Sequence, residues 1–144
     1  MAYDQNTFNE LFGLLRKASK HIKYPSIRMV TTDGSKVQIF LAKKDYIGLK
    51  VDGVYQGKIL DIGKVYWYPV SMEAIKQEIL QFCILPTASA KINGQKYNHC
   101  CFCKQELTNA ISVYNGYGPI CADNYGLPWE AAPIEAPIVI DSIL

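Results

Sequence analysis

Two Asp-Gly dipeptides, Asp33-Gly34 and Asp52-Gly53, each lie between short runs in which apolar side chains alternate with others. No other feature restricts the middle of this chain as strongly. Period-two alternation puts one set of side chains on one face of a strand, and Asp-Gly supplies the positive φ angles that a tight hairpin connection requires. Ile27, Met29 and Thr31 alternate with Arg28 and Val30 before the first dipeptide, and Val37, Ile39 and Leu41 follow it. Tyr46–Val51 and Val54–Leu60 flank the second, and an aromatic strand is predicted over Val65–Tyr68, stopped by Pro69. The pattern predicts an antiparallel meander of four or five strands. Such a sheet packs one face on helices and turns the other to solvent.

Helices to cover it are legible on both sides. Phe8, Leu11, Phe12, Leu15, Ala18 and Ile22 recur at three- and four-residue spacing, which predicts an amphipathic helix over about 7–22. Thr7 followed by Glu10 reads as a capping box at its start. A second helix is predicted over about 72–84, with Ser71 as N-cap, Ile75, Ile79, Phe82 and Cys83 on one stripe, and Pro86 beyond its end. Cys83 on that stripe reads as a buried structural thiol. Residues 86–98 read as a connector or helix remnant. The segment 131–144, with two prolines and no basic residue, reads as a tail that docks as an edge strand or hangs free as a peptide ligand.

Charge and composition exclude several classes. With 49% hydrophobic and 19% charged residues the chain is globular rather than disordered or collagen-like. The net charge of +2 conceals an uneven distribution, nine Lys/Arg against four Asp/Glu in residues 1–50 and six against nine in 51–144. Arg16, Lys17, Lys20, His21 and Lys23 cluster at the end of the first helix, where cations also complement its dipole. The N-terminal segment lacks the apolar stretch of a signal peptide, and no apolar run reaches the roughly 18–20 residues of a spanning helix. A cytoplasmic protein with reduced thiols and no membrane partner is expected.

Five cysteines, at 83, 100, 101, 103 and 121, make an odd count concentrated near the C-terminal end, which suits a metal site better than a disulfide framework. Cys100 and Cys103 form CxxC, a spacing that lets two thiolates from one turn reach a single tetrahedral ion. Gly116-Tyr117-Gly118-Pro119 predicts a turn, Pro119 suits the first position of a short helix carrying Cys121, and Gly126 stops it. Three ligands to Zn2+ are therefore Cys100, Cys103 and Cys121. Asn124 stands where a fourth would be usual, so His99, then Cys101, then water or an outside group are the candidates for closing the site. A thioredoxin-like redox CxxC does not fit the preceding meander.

This arrangement resembles a treble-clef zinc finger, in which a CxxC turn, a short hairpin and a helix N-terminus converge. The stretch from Cys100 to Trp129 also resembles a family of unknown function frequent in bacteriophage and prophage genomes. Its shared positions are Cys100, Cys103, Leu107, Thr108, a strand at Ser112-Val113, Gly116, Gly118, Pro119, Cys121 and Gly126-Leu127-Pro128-Trp129. Relatives tend to carry an acidic residue where this chain has Asn109-Ala110-Ile111-Ser112. The resemblance implies a small phage-type zinc-binding protein in the host cytoplasm, with no activity to carry over.

The fold class expected is α+β: a helix-plus-sheet-plus-helix domain over 1–96, a zinc module over 97–130, and the tail. No HExxH, phosphate-binding loop or nucleophile elbow is present in the sequence, and Glu106 follows rather than precedes the CxxC, against the deaminase pattern. A non-enzymatic binding module is expected. Its partner would be a host or phage protein, as for an inhibitor of a host protein or defence system, with Tyr66-Trp67-Tyr68, Tyr114, Tyr117 and Trp129 as aromatic anchors. The alternative partner is nucleic acid, met by Arg16, Lys17, Lys20, Lys36, Lys43, Lys44 and Lys50 interleaved with Tyr24, Phe40, Tyr46 and Tyr55.

Overall fold

A computed structural model describes residues 3–69 and 72–131, in the order α1 (Asn9–Ala18), β1 (Ser26–Val30), β2 (Lys36–Leu41), β3 (Ile47–Val51), β4 (Val54–Ile59), β5 (Val65–Trp67), α2 (Glu73–Ile84), α3 (Pro86–Tyr97), α4 (Ala110–Asn115) and α5 (Pro119–Tyr125). The class is α+β. Ser71, expected as the cap of the second helix, and the tail from residue 132 lie outside the described residues.

The strands form one antiparallel sheet in the order β1-β2-β3-β4-β5. Ile27 pairs with Ile39 and Ile39 with Leu49, and all three are fully buried, so the predicted alternation does set the inward face. Asp52 and Gly53, at φ of 49° and 83°, make the two-residue connection between β3 and β4. The first Asp-Gly lies instead in a wider loop. There the buried Thr31 hydroxyl donates to the Asp33 carboxylate and accepts the Ser35 N–H at 3.0 Å.

α2, Glu73–Ile84, keeps its predicted ends, whereas α1 departs from its own for tertiary reasons. α1 is shorter than 7–22, and the Thr7–Glu10 capping box does not form. The Asp4 carboxylate accepts the Asn6 N–H at 2.8 Å and the Thr7 hydroxyl at 3.2 Å, while Glu10 accepts the Thr87 N–H at 2.9 Å. Glu10 therefore caps the first turn of α3 rather than its own helix, which satisfies a backbone donor that α3 cannot satisfy internally. Pro86 lies beyond the end of α2, as expected, and also opens α3 at a first-turn position, so Pro86–Tyr97 is a full helix where a connector or helix remnant was expected. Gly94, in the middle of α3, is required by packing, because a Cβ there would fall onto the Gly116 carbonyl at the end of α4.

α1 packs over β2 and against α5, and α3 lies against β1 and α4. The buried apolar residues form one cluster running from Phe8 and Leu11 of α1 through Ile39 and Leu49 to Phe102, Tyr117 and Tyr125 near the C-terminal cysteines. Cys83 is fully buried within it, and burial holds its thiol well above the ordinary range. No helix among the described residues is long and apolar enough to cross a membrane.

Candidate metal centre

Cys100 opens a tight turn in which the Lys104 N–H donates to the Cys100 carbonyl at 2.9 Å and the Cys100 N–H to the Gln105 carbonyl at 2.9 Å. An isolated bridge between His99 and Glu106 and a bond from the Leu107 N–H to the Asn98 carbonyl close the base of this loop. Asn98 and Lys104 take positive φ angles of 57° and 66° to make the bends. The chain then forms α4. Here the structure corrects the expected strand at Ser112-Val113 and with it the short treble-clef hairpin. The Asn109 side chain accepts the Ser112 N–H at 2.8 Å, an N-cap that starts a helix in place of a strand.

From α4 the chain turns through Gly116 and Gly118 into α5, with Pro119 in its first turn and Gly126, at φ of 72°, at its C-terminal end. This was legible in the sequence. Cys121 is thereby aimed back at the CxxC turn, and the ligand atoms of Cys100, Cys103 and Cys121 all lie within 4.8 Å of one another. Three thiolates around one tetrahedral ion at about 2.3 Å fit that span. Cys100 and Cys121 are buried and Cys103 is exposed.

Without a metal the three sulfurs share protons. The Cys100 thiol is drawn down to about 5, first by a hydrogen bond from Cys121 and then by the backbone N–H groups of Gly118, Phe102 and Cys103, against the cost of burial. Cys121 is raised, first because its thiol donates to Cys100 and then by burial, and Cys103 is raised chiefly by burial. A metal that draws all three into thiolate form displaces the remaining protons.

The other candidate ligands point elsewhere. His99 is exposed, with Nδ1 2.8 Å from the Tyr97 carbonyl, and is not part of the thiol group. Cys101 turns toward α3, its Sγ 3.4 Å from Asn93 Oδ1 and 3.8 Å from the Ala90 carbonyl, and burial raises it to about 12. Its carbonyl has a different task. It accepts the Arg28 N–H of β1 at 2.7 Å, while the buried Tyr125 hydroxyl accepts the Ser26 N–H at 3.1 Å and donates to the Ser26 carbonyl at 3.0 Å. The cysteine module thus satisfies the free edge of β1. Burial, first among the causes, raises Tyr125 to about 12. No sequence signal marked Tyr125 for this role beyond its place on the Cys121 helix.

The residues expected to meet a partner are dispersed. Arg16 is held by Asp45 through bonds of 3.0 and 2.7 Å, with Asp61 at 3.7 Å. Lys17 lays its aliphatic stem over Gly126, sharing a shallow cleft with Trp129. Lys20 and His21 are exposed at the end of α1, and Lys43 and Lys44 are exposed in the turn between β2 and β3. Tyr117 is corrected from a surface anchor to a buried one: it is 2% exposed, packs edge-on against Phe102, and donates its hydroxyl to the Pro128 carbonyl.

Residues 93–126 match the model of a family of unknown function (DUF6011), a span from the last turns of α3 to the end of α5 that contains the three clustered thiols. No curated protein and no solved structure gives a significant match to the chain.

Proposed function

We propose that the protein is a phage-type, zinc-stabilised binding module that works in the host cytoplasm by contact with a macromolecule rather than by catalysis. The observation that carries this reading is the convergence of Cys100, Cys103 and Cys121 to within 4.8 Å at the point where the module meets the edge of the sheet. All-thiolate donors suit Zn2+, and the group holds no carboxylate or imidazole to serve as a general base. The fourth position falls to water or an outside group, since Cys101 faces α3 and His99 lies outside the group. The metal would fix the CxxC turn to α5, which in turn holds Tyr125 and the Cys101 carbonyl against β1.

Metal analysis of the purified chain tests this directly: about one equivalent of zinc per chain is expected. On chelation, amide exchange should accelerate through the CxxC turn and α5 and at Ser26 and Arg28, while β3 and β4 keep their protection. Zinc-free protein with an unchanged exchange map would sink the reading. A host protein is one partner class for such a module, with Ile120 on α5 at 75% exposure and Trp129 just beyond it at 40% as its contacts. Nucleic acid is the other, and the outward face of the sheet favours it.

A further inference from the structure

The face of the sheet opposite the core is built differently from an ordinary solvated face. None of the five strands contains an aspartate or glutamate, whereas Arg28, Lys36, Lys50 and Lys58 lie within them. Cross-strand pairing sets the cations among aromatic rings. One row runs Arg28, Gln38, Lys50, Tyr55, and the next runs Ser26, Phe40, Gly48, Lys58, Tyr66.

Gly48 has a particular part in this. A Cβ at that position would run into the Phe40 ring, so its absence lets Phe40 lie across β3 toward β4. The Phe40 and Tyr55 centroids are 6.2 Å apart, and those of Tyr55 and Tyr68 are 5.6 Å apart, which makes a strip of rings across the sheet. Ammonium groups sit along it: Lys50 is 5.3 Å from the Phe40 centroid, and Lys58 is 5.4 and 5.7 Å from those of Tyr46 and Tyr66. Tyr66 and Tyr68 are about half exposed, at 46% and 51%.

On the β1 side of the same sheet lies a cleft of about 640 Å³, between Arg28, Lys36 and Gln38 of the sheet and His99 and Lys104 of the CxxC turn, with no acidic side chain lining it among the described residues. A cationic track with rings beside it matches one partner chemistry. Phosphates carry negative charge along a strand at every residue, and unpaired bases offer π faces to aromatic rings.

From this we infer that the outward sheet face binds single-stranded nucleic acid. Bases stack on the Phe40–Tyr55–Tyr68 strip and on Tyr66, and phosphates run past Lys58 and Lys50 to Arg28 and the cleft beside the CxxC turn. A duplex hides its base faces within its own stack and is bound more weakly. The inference rests on the binding-module reading and adds the partner and the surface.

The test is fluorescence anisotropy of labelled single-stranded DNA, single-stranded RNA and duplex DNA of mixed sequence, titrated with full-length protein whose zinc content has been measured. At about 50 mM salt a single strand, DNA or RNA, should bind more tightly than the duplex, and affinity should fall steeply as salt rises. Paired Tyr66→Ala and Tyr68→Ala changes should weaken single-strand binding by about tenfold or more. Lys50→Glu with Lys58→Glu should abolish it, whereas Lys50→Arg with Lys58→Arg should retain it. Circular dichroism and zinc content, unchanged in every variant, show that the fold persists.

The absence of single-strand binding, a duplex bound equally well, binding that survives the lysine reversals, or a host protein occupying this face in place of nucleic acid each overturns the inference. Any of these in zinc-loaded protein leaves the metal reading standing. Protein without zinc defeats the metal reading whatever the titrations show.

Discussion

In the meander, cohesion follows from apolar area: Ile27, Ile39, Ile47, Leu49 and Ile59 are fully buried on one face, and neighbouring strands in the sheet are also neighbours along the chain. The cysteine module between Asn98 and Ala131 has another basis. Its three helical and loop segments are short, and they are tied by converging thiols, by Tyr117 to the Pro128 carbonyl, and by Asn115 paired with the Glu130 backbone at 2.8 and 3.0 Å. Short helices are marginal by themselves. The module therefore adds specific bonds to its share of the common apolar core, which Phe102, Leu107, Tyr117, Tyr125 and Leu127 supply, where the meander relies on buried apolar surface alone. It also completes the sheet that supports it, because Tyr125 and the Cys101 carbonyl occupy the edge of β1.

The largest effect that would sharpen this contrast is expected from Cys121→Ser. On the zinc reading it removes stoichiometric metal, and structural zinc is worth about 10–16 kcal/mol in finger peptides, so the module should lose exchange protection while β3 and β4 retain theirs. A variant that keeps both zinc and protection would break the distinction. Ile39→Ala acts on the other region. It should cost about 2–5 kcal/mol by denaturant titration, since its side chain lies between Ile27 and Leu49, and zinc content should not change.

Tyr125→Phe probes the seam between the two. It leaves the buried Ser26 N–H and carbonyl without their partner and should cost about 1–3 kcal/mol, with exchange at Ser26 accelerating first. The smallest effect concerns Cys83. Burial raises its folded-state value above the ordinary 9.0, so as pH climbs past that value the unfolded chain releases a proton that the folded chain keeps. Stability should then fall by up to about 1.4 kcal/mol per pH unit. Cys83→Ala should flatten that slope and leave zinc content unchanged, as measured by urea titrations across pH 8–10 (about one unit on either side of the thiol range).

Much of this architecture is readable from local pattern. The strands announce themselves because alternation reflects which side chains can face a core, and Asp52-Gly53 because few other dipeptides accept two positive φ angles. The CxxC turn and the Pro119-to-Gly126 helix are equally local, and they are enough to aim three sulfurs at one point. Helix ends were less legible. Thr7 and Glu10 have the spacing of a capping box, yet Glu10 is used by Thr87, far along the chain. Asn109 has the chemistry of an N-cap and starts a helix where the family resemblance implied a strand, and the end of that helix at Gly116 packs against Gly94 of α3.

By itself, then, the sequence determined the order of the strands with a helix on either side, the inward face of the sheet and the three convergent thiols, because each follows from periodicity or from the geometry of a few adjacent residues. Only the tertiary structure decided that Cys101 and His99 stand apart from the sulfur group, that Tyr117 is buried, and that Tyr125 secures the edge of β1. It also laid Phe40 across Gly48, turning scattered aromatics and lysines into one strip. Contacts such as Tyr125 with Ser26 join residues 99 positions apart, and no local pattern encodes which distant groups a folded core will bring within a hydrogen bond of each other.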